Sequence, residues 1–135
     1  MVDYVIPFEK LRNTDVGSVG GKNASLGEMI SQLTQKEIRV PTGFATTAQA
    51  FQEFLKHNDL GIQIESELEH LDINDVQQLA ASGKKIRNWI MQTPFPKELD
   101  HAIEQEYETL IQRSSNEMTF AVRSSATAED LPDAS

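Results

Sequence analysis

A glycine pair followed by a lysine, Gly20-Gly21-Lys22, stands directly before a predicted helix. Paired glycines let backbone N–H groups approach an anion closely, because no Cβ stands in the way. The start of a helix adds unpaired N–H groups and the positive end of the helix dipole. A lysine at this place supplies a mobile positive charge for a phosphate group. The pattern indicates a phosphate site, although a glycine turn that leads into an amphipathic helix with a surface lysine explains the same residues.

A second candidate lies near the other end of the sequence, where Arg123 is followed by Ser124, Ser125 and Thr127. The apolar residues 119–122 before it predict a strand, and ligands of α/β sheets lie at the ends of strands. An arginine fork beside hydroxyl groups and backbone N–H groups suits the oxygens of a polyphosphate. The alternative, which these residues alone leave open, is an exposed arginine in front of a flexible serine-rich linker.

Residue types and spacing exclude several other kinds of site. A Walker A loop that ends at Lys22 needs glycine at position 16 and serine or threonine at position 23, where this sequence has Val16 and Asn23. A phosphate site at this place would therefore belong to another fold. The sequence has no cysteine, which excludes disulfides, thiolate metal sites and cysteine nucleophiles. The three histidines share no metal-ligand spacing, so we predict no zinc site.

Charge and hydropathy narrow the class of protein. The chain has 135 residues, with 12 Lys and Arg against 21 Asp and Glu, which gives a formal charge of -9. This acidic balance argues against binding to nucleic acid and to anionic membranes, because both need a basic surface. No apolar run approaches the length of a membrane span. The N-terminus lacks the basic and apolar regions of a signal peptide, so we expect a cytoplasmic protein.

The elements that must position the first candidate are a helix and short strands. Apolar residues that follow the i, i+3, i+4, i+7 rule predict a helix over about residues 23–33. Short apolar runs predict a strand at residues 4–6, which Pro7 ends, and another at residues 38–40, which leads into a turn. This arrangement would place Lys22 at the beginning of the helix.

The middle of the chain predicts helices. Thr46 and Gln49 match a capping box at the start of one helix. Gly61 is predicted to interrupt the chain, and Asn74 or Asp75 caps a second, longer helix. The apolar residues predicted to lie on the inner side of this second helix are Val76, Leu79, Ala80, Ile86, Trp89 and Ile90.

A third helix is predicted after Pro94-Phe95-Pro96, which ends the one before it. Its apolar residues, from Leu99 to Ile111, continue at helical spacing. Several helices with a few short strands predict a mixed fold of the α+β or α/β class.

Three motifs in this order resemble the N-terminal part of the phosphoenolpyruvate synthases, or pyruvate, water dikinases, within the family of phosphoenolpyruvate-utilising dikinases. They are VGGKNASLGEMI at residues 19–30, VPTGFATT at residues 40–47, and FAVRSSATAEDLPDAS at residues 120–135. The helical stretch IRNWI at residues 86–90, followed by TPF at residues 93–95, is similar too. The resemblance covers essentially the whole chain.

The resemblance implies a large cytoplasmic, multidomain enzyme of pyruvate metabolism and gluconeogenesis. Such enzymes have an N-terminal ATP-grasp nucleotide-binding domain, a swivelling phosphohistidine domain and a C-terminal TIM barrel for pyruvate. The reaction implied converts ATP, pyruvate and water into AMP, phosphoenolpyruvate and phosphate through a phosphohistidine, and it requires Mg²⁺. We therefore expect residues 1–135 to be the N-terminal portion of the nucleotide-binding domain, truncated within the loop of residues 123–135.

The resemblance also implies roles for particular residues. Lys22 and Arg123 match the lysine and the arginine that contact ATP phosphates in this family. The remaining expected nucleotide-binding residues are Gly20, Gly21, Ser124, Ser125 and Thr127.

No catalytic residue is expected in this chain, because the catalytic histidine, the metal-binding acids and the pyruvate barrel belong to other parts of the family's chains. Alone, the chain is expected to be inactive, and apolar surface left by the missing parts is compatible with homo-oligomers. The alternatives that remain open are pyruvate, phosphate dikinase and rifampin phosphotransferase, which share the ATP domain, a non-catalytic nucleotide-binding module, and a helical domain whose acidic face binds a basic partner.

Overall fold

A computed structural model of the chain describes residues 3–113 and 119–128. Helices dominate it, and two short antiparallel strands accompany them, so the predicted mixture of helices and short strands is confirmed. Two compact units divide the chain: residues 1–51 with 97–135, called the N-terminal unit here, and Gln52–Pro96, called the helical unit. The elements are β1 (Val5–Pro7), 3₁₀ turns at Phe8–Lys10 and Asn13–Asp15, α1 (Val16–Val19), α2 (Gly21–Thr34), β2 (Phe44–Thr46), α3 (Ala48–His57), α4 (Leu60–Glu69), α5 (Val76–Gln92) and α6 (Lys97–Arg113).

The sheet pairs β1 with β2 in antiparallel register, with Ile6 opposite Ala45. The strand predicted at the N-terminus is confirmed, but the one predicted at residues 38–40 is wrong, because the chain forms its strand further on, in β2. Backbone hydrogen bonds flank the sheet at both ends, from Phe8 N–H to the Gly43 carbonyl at 2.9 Å and from Thr47 N–H to the Tyr4 carbonyl at 3.0 Å. These bonds fix the register of β1 against β2, which the apolar pattern alone did not predict.

Residues 119–122, which the sequence predicts to be a strand, form none in the structure. A strand needs a neighbour that completes its hydrogen-bond ladder, and the two described strands pair with each other. The segment is exposed instead, and Val122 keeps 96% of its surface accessible. Part of the loop expected at residues 123–135 lies outside the described residues, since the description ends at residue 128.

Helix α2 confirms the helix predicted over residues 23–33 and begins two residues earlier. It lies directly against the N-terminal segment, because a Cβ at Gly27 would be 2.6 Å from the carbonyl oxygen of Leu11. The Glu28 carboxylate accepts from the backbone N–H of Asn13 at 3.0 Å and from the side-chain amide of Gln32 at 3.2 Å. These bonds, the first above all, lower the pKa of Glu28, and the bond from Asn13 joins α2 to the preceding turn.

The core of the N-terminal unit is small. Leu11 is fully buried in it, and it has the largest side chain with no exposed surface. The cluster is formed by Leu11, Val19, Ala24 and Ala45, with Ile6, Phe8 and Val16 packed against it. Ala24 on α2 and Ala45 on β2 thus contribute small side chains to one cluster.

Helix α3 is capped by Thr47, one residue later than the capping box predicted at Thr46. The Thr47 hydroxyl accepts from the Ala50 N–H at 3.0 Å and donates to the Asp3 carbonyl at 2.6 Å. Thr46 is part of β2 and cannot take the cap position because its backbone is still in the strand.

The helical unit contains α4 and α5. Gly61 lies inside α4 and does not interrupt the chain, which corrects the prediction, because a helix tolerates glycine where neighbouring contacts hold it. Asp75 caps α5 as predicted, since its carboxylate accepts from the backbone N–H groups of Gln77 and Gln78. Glu67 links the two helices by accepting from Ser82 Oγ at 3.0 Å.

The prediction of which α5 residues lie inside is wrong at the start of the helix. Val76 is 75% exposed, and Leu79 and Ala80 are exposed as well. Ser82 is buried instead. Ser82 faces α4, since it donates to Glu67 there, and Ala80 and Val76, two and six positions before it, lie on other sides of the helix.

Helix α6 begins directly after Pro96 and confirms the third predicted helix. It buries Leu99 and Leu110, and its last residue, Arg113, forms a 3.0 Å ion pair with Glu9. In the described part of the chain, none of the helices is both long enough and apolar enough to cross a bilayer.

Candidate functional site

The glycine turn between α1 and α2 has a conformation that favours glycine. Gly20 has φ 86° and ψ 165°, in the region of positive φ that L side chains rarely adopt. Its N–H donates to the Val16 carbonyl at 2.8 Å. The Asn23 side-chain amide donates to the Val19 carbonyl at 2.9 Å. These bonds satisfy the carbonyl groups of Val16 and Val19 in α1, and α2 begins at Gly21.

The first turn of α2 presents the first candidate. Gly20 and Gly21 are buried, whereas Lys22 is exposed. The first N–H groups of any helix lack partners within that helix, and they carry the positive end of its dipole. An anion near Lys22 would therefore meet both a full charge and a partial positive charge.

The segment that carries Arg123 lies against this turn. The N–H of Gly21 donates to the carbonyl of Ala126 at 3.2 Å. A Cβ at Gly20 would overlap Ser125 Oγ and would lie 2.9 Å from the backbone nitrogen of Ala126. The structure thus brings the two predicted phosphate-binding segments together, although they come from opposite ends of the described chain.

The seven predicted residues divide by exposure. Ser125 Oγ is buried, and it has no hydrogen-bond partner among the described residues. Its neighbours Arg123, Ser124 and Thr127 are exposed, as is Lys22. Lys22 follows Gly21 directly, and Arg123 precedes Ala126 by three residues. The two cationic side chains therefore belong to two backbone segments that are joined by one hydrogen bond.

Two contributors to this arrangement were not predicted. Asn23 was considered only as the residue in place of the Walker hydroxyl, yet its side-chain amide donates to the Val19 carbonyl at the end of α1. Ala126 takes part through its backbone carbonyl, for which the sequence carries no signal. In addition, no three His, Asp or Glu side chains come together as a metal site in the described part of the chain.

Comparisons with known proteins identify the family of the chain. Residues 16–135 match the family model described as "Pyruvate phosphate dikinase, AMP/ATP-binding domain", and this range includes both predicted phosphate-binding segments. The phosphoenolpyruvate synthase of Neisseria meningitidis is 59% identical over 134 residues, which cover 98% of this chain and 17% of that protein. The phosphoenolpyruvate synthase of Pseudomonas aeruginosa is 53% identical over 135 residues, covering 100% of this chain and 17% of that protein.

The phosphoenolpyruvate synthase of Escherichia coli K12 is 52% identical over 131 residues, which are 97% of this chain and 16% of that protein. The chain thus spans about one sixth of the length of these relatives. The resemblance stated from the three motifs is confirmed, and the chain belongs to the family of pyruvate phosphate dikinase AMP/ATP-binding domains.

Proposed function

We propose that this chain forms one side of the ATP phosphate site of a phosphoenolpyruvate synthase. The observation that carries the proposal is the hydrogen bond from Gly21 N–H to the Ala126 carbonyl, which joins the segments of Lys22 and Arg123. Both segments lie within the region that matches an AMP/ATP-binding domain.

The two cations suit the chemistry of phosphoryl transfer. Such reactions depend on positioning and on neutralising charge at the phosphate oxygens more than on covalent work by the protein. Lys22 supplies a mobile point charge, and Arg123 supplies a planar fork that can hold two oxygens. We assign the β- and γ-phosphates to these two side chains. The start of α2 and the hydroxyls of Ser124 and Thr127 complete this side of the site.

The remaining parts of the proposed enzyme lie outside this chain. They are the other half of an ATP-grasp domain with the Mg²⁺ ligands, a phosphohistidine domain and a pyruvate-binding barrel. The proposed reaction converts ATP, pyruvate and water into AMP, phosphoenolpyruvate and phosphate, as part of pyruvate metabolism in the cytoplasm. The 135-residue chain alone is expected to release no AMP.

The test uses ³¹P NMR on the full-length gene product with ATP and Mg²⁺, with and without pyruvate. Pyruvate-dependent AMP, phosphoenolpyruvate and orthophosphate, formed without added phosphate, are the expected products. A strict need for added phosphate would favour pyruvate, phosphate dikinase. No response to pyruvate would move the acceptor to another molecule, such as a rifamycin, or leave a nucleotide-binding module without catalysis.

The residue assignment is tested in the same assay. Lys22→Ala and Arg123→Ala should each lower turnover by about two orders of magnitude or more, since each removes charge stabilisation from the transferring phosphate. Lys36→Ala and Arg87→Ala, at exposed positions outside the two predicted segments, are the matched controls and should retain turnover. Near-normal formation of phosphohistidine in Lys22→Ala would refute the role of that lysine.

A further inference from the structure

We infer that the segment of residues 119–128 is held by two anchors, and that the residues at these anchors position Arg123 against the start of α2. The first anchor is the contact of Ser125 and Ala126 with Gly20 and Gly21. The second is the contact of Phe120 with Tyr107 on α6. The inference rests on the proposed phosphate site and adds to it the residues that fix its geometry.

The first anchor is made by backbone at a place that has no room for a side chain. The bond from Gly21 N–H to the Ala126 carbonyl uses a donor at the helix start. A Cβ at Gly20 would overlap Ser125 Oγ and lie 3.0 Å from the Ala126 carbonyl oxygen. Any residue other than glycine would therefore push the segment away and break this bond. The close approach assigns Gly20 to positioning.

Ser125 fits the same role. Its Oγ is buried without a hydrogen-bond partner among the residues described, and it occupies the space that a side chain at Gly20 would fill. A hydroxyl in this place has no path to a phosphate oxygen in solvent. Ser125 therefore acts by filling space at the anchor, whereas Ser124 and Thr127 remain exposed to a ligand.

The second anchor lies on the other side of Arg123. The rings of Phe120 and Tyr107 are 5.1 Å apart between centroids, with a tilt of 40°. Aromatic pairs at this distance attract each other beyond the burial of their area. Arg123 stands three residues after Phe120 and three before Ala126. The span is short, so the two anchors together limit where the arginine can reach.

This arrangement predicts that Lys22 and Arg123 act on a ligand as a coupled pair. Residues that grip the same phosphates in a fixed geometry show non-additive losses in a double-mutant cycle. The probe is the non-hydrolysable analogue β,γ-imido-ATP, and the readout is its dissociation constant from the full-length gene product. Arg123→Ala should cost at least about fivefold less affinity after Lys22→Ala than it costs alone.

Releasing either anchor should remove the coupling. In Gly20→Ala, analogue binding should weaken about tenfold, and adding Arg123→Ala should then change affinity less than about twofold. Adding Ser125→Gly to Gly20→Ala removes the nearest overlap and should restore part of the lost affinity. Gly17→Ala is the matched control, because nothing lies within 4 Å of a Cβ there, and it should leave the cycle unchanged.

The second anchor keeps the inference testable if Gly20→Ala does not fold. Tyr107→Ala removes a half-exposed ring from α6 and should reduce the contribution of Arg123 while that of Lys22 persists. Ile111→Ala, similarly exposed on the same helix, is its control. Unaltered coupling in Gly20→Ala and Tyr107→Ala would overturn the anchors but leave the phosphate site standing. Unaltered affinity in Lys22→Ala and Arg123→Ala would overturn the phosphate site and the anchors with it.

Discussion

The two units of the chain use glycine in different ways. In the N-terminal unit, Gly20 and Gly27 each give up the space of a Cβ to the backbone of another segment, at Ala126 and at Leu11. In the helical unit, a Cβ at Gly61 would have nothing within 4 Å. At Gly20 and Gly27 the first unit thus has backbone lying on backbone, and these two glycines are structural requirements. The second unit tolerates Gly61 inside α4 without using the space.

The difference extends to apolar surface. The N-terminal unit covers a small core with tightly packed neighbours. In the helical unit, large apolar side chains are exposed to solvent, and Met91 is 83% exposed. The exposed set in this unit is Ile62, Leu68, Ile73, Val76, Leu79, Met91 and Phe95. The N-terminal unit exposes large apolar side chains too, Val122 among them, but most of the buried apolar residues lie in this unit, which carries the proposed phosphate-binding segments.

The strongest test of this contrast is Gly27→Ala. The new Cβ would meet the carbonyl carbon of Leu11 at 2.8 Å, and backbone cannot move aside cheaply. Overpacking costs about 1–3 kcal/mol, and this cost exceeds the gain of about 1 kcal/mol that alanine brings to a helix. We expect a net loss on the order of 2 kcal/mol. Faster hydrogen exchange of α2 amides in the full-length protein would measure it, and unchanged exchange would contradict the close approach.

The counterpart in the helical unit is Gly61→Ala, for which we expect the opposite sign. Open space around the new Cβ removes any steric penalty, and the unfolded chain loses conformational freedom, which stabilises the fold by about 0.4–1 kcal/mol. Urea unfolding of the 135-residue chain can follow this change through Trp89, its single tryptophan, which lies in α5. A lower urea midpoint for Gly61→Ala would remove the distinction between the two units.

The sequence predicted the helices better than the contacts that give them their roles. The periodic apolar residues predicted α2, α5 and α6, because a buried helical face leaves a repeating signal. The same signal misled at residues 119–122, since an apolar run becomes a strand only where a partner completes its ladder. The burial of α5 was also misjudged at Val76, because which face of a helix is covered depends on the neighbouring element.

The candidate site likewise has one part that the sequence predicted and another that it did not. Lys22 and Arg123 were predicted as phosphate contacts because charge beside glycine and serine is a chemical pattern that the sequence displays. Their junction was not predicted, because Ala126 contributes a carbonyl oxygen that every residue type has. The requirement at Gly20 is likewise visible only once the segment that fills its Cβ space is in place. The sequence therefore showed which residue types suit a phosphate, whereas the contact between the two backbone segments was visible only in the structure.

The smallest effect that we predict concerns the helical unit, where the stabilising contact between α4 and α5 should depend on pH. Glu67 accepts from Lys85 Nζ at 3.1 Å and from Ser82 Oγ, and these bonds, that with Lys85 above all, lower the pKa of Glu67 below its ordinary 4.5. A carboxylate whose folded pKa is below its unfolded pKa stabilises the fold fully above the unfolded value. This stabilisation must decline as the pH falls from 4.5 through the lower folded pKa.

Glu67→Gln should remove this part of the pH dependence, because glutamine keeps the shape of the side chain but does not titrate. The measurement is the urea midpoint from Trp89 fluorescence at about pH 7 and about pH 3, in the original chain and in the variant. The original chain should lose more stability over this range than Glu67→Gln, and Glu65→Gln, an exposed position on the same helix, should behave like the original chain. The contact is exposed, so the difference should be modest compared with that of Gly27→Ala. Equal losses in the original chain and in Glu67→Gln would mean that α4 and α5 are held by their apolar residues alone, and that polar contacts do not order this unit.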